Sequence, residues 1–282
     1  MNYSKGFLIN KFKMIIVTTS NSILKIEEND ILNYKIIETG NGLYYGIDYY
    51  ENKLYVAARK RLTSSTNSPI SEEDGEIRVF DKEFQLVEVI KATFPLRDIH
   101  QIRFIDDDLY VTCTHDNMIA IRNKKGEWRK WFPLPKAKLA DINHFNTIDV
   151  DGDKIVICCH NKEEPSEVIY FDKSLNFLMK FKLGRQIHNY WKEGDEIFTN
   201  SSKDSKIISN KGFSMLVGEF PRGYCKIDDK NYIGVSKILE RPARDTKFNN
   251  GKINIYDKHY NLIESINLSS QGLISDIYYI KD

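Results

Sequence analysis

The chain is short of several things, and each shortage removes a class of protein. Its four cysteines are Cys113, Cys158, Cys159 and Cys225. None has CxxC spacing and three fall inside apolar, strand-like runs, so they read as buried thiols and not as a disulfide framework or a zinc knuckle. An excess of one charge is also missing. Lys plus Arg number 41 against 40 for Asp plus Glu, so no global field draws the protein to nucleic acid or to an acidic membrane. No hydrophobic run approaches the length of a membrane span, and "MIIVTT" (14–19) is too short for a signal-peptide core. These absences lead us to expect a soluble protein of a reducing, cytoplasmic compartment. No GxSxG, P-loop or dinucleotide fingerprint is present, which leaves nucleotide-dependent chemistry without support. Helical stripes of 3.6-residue period are lacking as well.

What the chain does contain is a repeat. Aligning its acidic turns gives "YYGIDYYENKLYVAAR" from Tyr44, "HQIRFIDDDLYVTCT" from His100, "NTIDVDGDKIVICCH" from Asn146, "HNYWKEGDEIFTNS" from His188 and "GYCKIDDKNYIGVS" from Gly223. Each is a strand, a polar turn and a second strand with alternating apolar positions, and each is followed by another hairpin such as "EVIYFDKSLNFLMKFK". A sixth copy is split between "SDIYYIKD" (275–282) and "MIIVTTSNSILKIEENDILNYKIIET" (14–39), the first supplying one strand and the second the other three. Joining the two halves closes a ring and removes an open sheet edge. The expectation is all-β: a single six-bladed β-propeller over residues 14–282 with four-stranded antiparallel blades, preceded by an N-terminal extension at 1–13.

The repeat has neither a Trp-Asp dipeptide closing each blade nor a glycine doublet of the kelch kind. At fold level the double hairpins are similar to the six-bladed propellers of the NHL and lactonase type, over nearly the whole chain. The lactonase resemblance implies a divalent cation in the channel, held by glutamate, asparagine and aspartate side chains, and calcium-dependent ester hydrolysis.

In such a ring the first strand of each blade lines the channel, and its start lies on the same face as the loop between strands two and three. The alignment places Tyr45, His100, Asn146, His188, Gly223 and Ser275 at that mouth, with His144 two residues ahead of Asn146. Only Asn146 matches the ligand set that the lactonase resemblance implies. His115 and His160 end their second strands near the same face. Neutral imidazoles from different blades suit a transition metal, so His100, His144 and His188 are candidate ligands for a divalent ion. Arg97 and Arg185 each stand three residues before a mouth histidine, and Arg222 adjoins Gly223. With Tyr45 and Tyr190 they predict a basic, aromatic arc suited to a carboxylate, sulfate or phosphate. The long loops at 59–75 and 237–250 add Arg59, Arg61, Arg241 and Arg244. Acidic clusters such as "DVDGD" (149–153) fall in the opposite turns, where Asp and Gly favour tight turns.

Two functions fit. In the first, a binding module recognises an anionic small molecule, a glycan or a protein loop through Tyr45, Arg97, His100, Asn146, Arg185, His188, Tyr190 and Arg222, and a lone propeller of this kind is compatible with a monomer. The alternative is a metal-assisted lyase or hydrolase acting on an acidic sugar or ester. The first is favoured because the alignment puts no carboxylate in the channel.

Overall fold

The computed structural model describes residues 14–281 apart from 28–29, 31–32, 61–71, 135–140, 241–242 and 245–247. The 1–13 extension, Arg61 and Arg241 therefore lie outside the described residues. Six four-stranded antiparallel sheets form a ring. The innermost strands are β4 (Leu43–Tyr50), β8 (Ile99–Ile105), β12 (Phe145–Asp151), β16 (Ile187–Glu193), β20 (Phe220–Ile227) and β24 (Ile274–Ile280). Each packs against the next round the channel, and β20 and β4 both meet β24.

The split blade is real. β24 pairs antiparallel with β1 (Met14–Thr19), from Met14 opposite Ile280 to Thr19 opposite Ile274. Beyond β1 come β2 (Ser22–Glu27) and β3 (Tyr34–Thr39), which complete that sheet. Alternating apolar residues of neighbouring blades interdigitate, so the core is a set of clusters between sheets; one joins Ile15, Val17 and Leu24 to Ile253, Ile266 and Ile277. The outermost strands face water, as in β15 (Phe177–Lys182), where all residues but one are exposed. All four cysteines are free and buried. Among the described residues no helix is long and apolar enough to cross a membrane.

Two irregularities recur in the blades and shape the channel mouth. The residue just before five of the inner strands has a left-handed backbone: Gly42 (φ 115°), Asp98 (54°), His144 (51°), Gln186 (50°) and Glu219 (51°). The pairing register of all six inner strands then slips within a few residues, at Tyr44/Ile47, Ile99/Ile102, Phe145/Thr147, His188/Trp191, Pro221/Tyr224 and, in β24, between Asp276 and Ile274. Such bulges turn a side chain off the alternation that a regular strand imposes. At Gly223 the bulge needs φ 86°, and a Cβ there would lie 2.9 Å from Ile277, so glycine answers both the dihedral and the crowding.

Candidate functional site

The bulges and left-handed turns gather imidazoles into an arc at the mouth. Tyr45 contacts His100 with ring centroids 4.9 Å apart, His100 contacts His144 at 4.9 Å, and His144 contacts His160 at 4.8 Å. His160 reaches His188 at 5.9 Å, and His188 reaches Phe220 at 5.5 Å. The guanidinium of Arg222 lies over the Tyr45 ring at 5.0 Å, at the start of the arc. His115, in the turn after β9 (Asp108–Cys113), takes no part in these ring contacts, whereas His160, expected nearer the rim, is in the middle of the arc.

Hydrogen bonds assign the tautomers. His100 Nδ1 is 2.9 Å from the carbonyl of Asp98, an acceptor only, so Nδ1 donates and Nε2 keeps its lone pair. His188 Nδ1 faces the Ser202 hydroxyl at 2.8 Å, and that hydroxyl already donates to the Pro221 carbonyl at 2.6 Å, so this Nδ1 also donates. His144 Nδ1 donates to the Asp141 carboxylate at 2.9 Å. His160 is reversed: its Nδ1 accepts from the backbone N–H of Lys162 at 3.0 Å, which leaves Nε2 as the donor. Burial pushes the His100 and His188 imidazoles well below their ordinary range, helped at His188 by Arg222 and His160. Burial with His144 and Arg222 lowers His160 to about 3. These three rings are therefore neutral at physiological pH.

The arginines divide sharply. Arg59, at the end of β5 (Lys53–Arg59), is buried, with its guanidinium 2.8 Å from Glu73 and 2.5 Å from Asp98. Burial works to raise Asp98, but Arg59, His100, His144 and Arg222 together hold its carboxyl well below the usual range. Arg97 is paired with Asp116 at 3.1 Å, and Arg185 is half-exposed and paired with Asp204. These two are accordingly ion-paired and only Arg222 of the expected arc faces the imidazoles without a carboxylate ion pair among the described residues. Burial, with Arg244 nearby, lowers its pKa below that of a solvated guanidinium, against the opposing pull of Tyr45, Asp276 and Asp98.

Asp98, His100 and His144 bring one ligand atom each within 4.8 Å of one another. Of the three histidines expected to share an ion, two are in this group; Asp98 joins them, and His188 stands outside it. Below the arc is a small cavity lined by His100, Asn146, His188, Arg222, Ser275 and Asp276, among others. Asn146 donates through Nδ2 to the Ile187 carbonyl at 3.0 Å, while its buried Oδ1 has no partner.

The expectation that the channel lacks a carboxylate does not hold. Asp276 projects into it one residue after the aligned mouth position Ser275, and accepts from Gln101 Nε2 (2.9 Å), Asn189 Nδ2 (3.2 Å) and the backbone N–H groups of Ile47 (3.3 Å) and Ile277 (3.0 Å). Burial raises it to about 6 against these hydrogen bonds. Asn189, left-handed at φ 63°, accepts from the Gly223 N–H at 2.8 Å, so this polar layer ties five blades together across the channel, through β4, β8, β16, β20 and β24.

Tyr190 is also placed differently from expectation. Its hydroxyl meets Asp151 at 3.1 Å, at the far end of the channel, because the bulge between His188 and Trp191 breaks the alternation that would have left it beside His188. That end opens into a funnel of about 850 Å³. There Arg103 bridges Asp48 (3.4 Å) and Asp149 (3.2 Å), and Trp191 stacks on Tyr224 at 3.9 Å.

Fold and channel together define a six-bladed, four-stranded β-propeller with a histidine-ringed mouth. No protein-family model matches the chain, and no curated protein matches it significantly. Solved structures do. A chain of a nidogen/laminin complex superposes with a TM-score of 0.66 at 9% identity, covering 95% of this chain and 98% of that one. A candidate 6-phosphogluconolactonase from Bacteroides fragilis gives 0.59 at 11%, covering 99% and 100%. A catalytically inactive histidine-to-alanine variant of virginiamycin B lyase from Staphylococcus aureus, with quinupristin, gives 0.51 at 13%, covering 76% and 70%. At these identities the likeness is one of fold.

Proposed function

We propose that the protein is a ligand-binding propeller that takes an anionic small molecule at the histidine-ringed mouth, with Arg222 as the anion's partner. The observation that carries this reading is the contrast among the arginines. Arg59, Arg97 and Arg185 have carboxylate partners, while Arg222, held in a half-buried setting that disfavours its own charge, has a face of Tyr45 and no ion pair among the described residues. A cation kept at such a cost is suited to a ligand that neutralises it. The aromatic and imidazole walls suit an acidic sugar. The test is calorimetry with glucuronate, sialic acid, sulfate and phosphate on wild type and Arg222→Gln. Binding of at least one anion by wild type, and its loss in the variant, supports the reading; equal binding by both overturns it.

A second reading, a metal-assisted lyase or hydrolase, is favoured by the Asp98, His100 and His144 group. His100 and His144 have their Nδ1 atoms engaged by Asp98 and Asp141, the arrangement that orients Nε2 toward a metal. It ranks second because Arg59 already shares the Asp98 carboxylate at 2.5 Å, and a dication would compete with that guanidinium.

A further inference from the structure

We infer that the ligand of this mouth is a small carboxylate bearing a hydrogen-bond donor, a hydroxyl or an ammonium, on the carbon next to the carboxylate. This rests on the anion-site reading above and specifies its chemistry. The argument starts from the pit beneath the arc, whose open volume of about 10 Å³ admits little more than one water-sized group.

Three of the groups on its wall are acceptors. His100 and His188 donate from Nδ1 to Asp98 and Ser202, so each has only a lone pair at Nε2. Asn146, buried to 95%, donates one amide N–H to the Ile187 carbonyl and leaves Oδ1 without a partner. These three residues occupy the bulged or pre-bulge positions of β8, β12 and β16, which is why they meet at one level of the channel. A buried acceptor left unpaired, as Asn146 Oδ1 is, destabilises the folded chain. A ligand that brings a donor into the pit relieves that cost.

Beside the acceptors, on the same wall, is Arg222. A bare anion pushed into the pit would meet lone pairs and the Asp276 carboxylate and be repelled; a bare cation would meet the guanidinium. A molecule with a carboxylate on one carbon and a hydroxyl or ammonium on the next satisfies both, the carboxylate taking the guanidinium fork and the donor turning down toward Asn146 and the two imidazoles. The remaining carbons then lie against Tyr45 and Phe220.

Propionate, lactate and alanine share the same size and differ only in that neighbouring group, so they form the test. Each is titrated by NMR at neutral pH, in the presence of EDTA, into wild type, Arg222→Gln and His188→Phe. Lactate or alanine should bind at least tenfold more tightly than propionate; which of the two leads tells hydroxyl from ammonium. The preference should shrink to within about threefold in His188→Phe, and all binding should be lost in Arg222→Gln. Propionate binding as tightly as both others, still dependent on Arg222, overturns the donor inference and leaves the anion site standing. Failure of all three to bind wild type overturns the donor inference and leaves the anion site to the titrations with glucuronate, sialic acid, sulfate and phosphate; binding that survives Arg222→Gln overturns both.

Discussion

The guanidinium of Arg222 lies 5.0 Å above the ring of Tyr45, and among the described residues it forms no ion pair with a carboxylate. A cation–π contact at a partly buried site contributes about 0.5–2 kcal/mol, less than burial of the charge can cost. Arg222→Gln should therefore leave the unfolding free energy within about 1 kcal/mol of wild type, or raise it, while removing anion binding. A thermal melt and a calorimetric titration on the same sample measure both. A loss of several kcal/mol would make Arg222 a structural residue.

For the metal reading, zinc uptake should be close to one per chain in wild type and should fall at least tenfold in affinity in Asp98→Asn, His100→Ala and His144→Ala, whereas His188→Ala should retain it. Dialysis against zinc followed by elemental analysis tests this. No stoichiometric metal in wild type, or a loss in His188→Ala equal to that in His100→Ala, would remove the metal from the mouth.

A chain stopped after Ile274 should not hold the closed ring. It loses Ile277, 2% exposed, and Asp276, whose carboxylate gathers donors from three other strands. It also leaves β1 as an open edge. Each buried apolar side chain contributes about 1.5–3 kcal/mol, so the melting midpoint should drop by ten degrees or more. A midpoint equal to that of the full chain contradicts the closure.

Two kinds of buried group give stability opposite slopes with pH. Asp276 is raised from 3.8 to about 6, so the folded chain keeps a proton that the unfolded chain releases. Its contribution is present at low pH and is lost as pH rises through about 4 to 6, by on the order of 3 kcal/mol at full effect. His100, His160 and His188 are lowered below 6.5, so the unfolded chain takes protons that the folded chain refuses, and their contribution is lost as pH falls below about 6.5. Three such groups should outweigh one, and metal-free protein should lose stability between pH 7 and pH 5. Carboxyl NMR should find the Asp276 midpoint near 6; a midpoint near 4 would show a solvated carboxylate.

Much of the ring was legible because blade repeats depend on local alternation. "SDIYYIKD" and "MIIVTTSNSILK" each show period-two apolar residues and lack each other's strands, and the pairing of Ile277 with Val17 joins them as expected. The mouth was legible only in part. His100, His144, Asn146 and His188 come to one end of the channel, since a strand start fixes which end a residue occupies. Tyr190 and Asp276 escaped because the first lies within a bulge and the second just past one, and a bulge is settled by the neighbouring strand's register. Six slips at equivalent positions make it a feature of the blade. The clue available in the sequence was adjacency alone, since Asp276 stands next to the aligned mouth position Ser275.

By itself the sequence determined how many blades there are, where the ring closes and which residues stand near each end of the channel, because alternation, turn chemistry and the split repeat act over a few neighbouring residues. Only the tertiary structure decided which charges remain unneutralised. Arg97 meets Asp116 and Arg185 meets Asp204, pairings that join a strand start to the turn after its partner strand, while Arg59, at the end of β5, meets Glu73 in the loop that follows and Asp98 ahead of β8 in the next blade. Arg222 is left facing Tyr45 and the imidazoles of other blades. Whether a side chain is paired depends on where neighbouring strands place their ends: within one hairpin for Arg97 and Arg185, but between blades for Arg59 with Asp98 and for Arg222 with Tyr45, a placement that exists only once the blades have packed together.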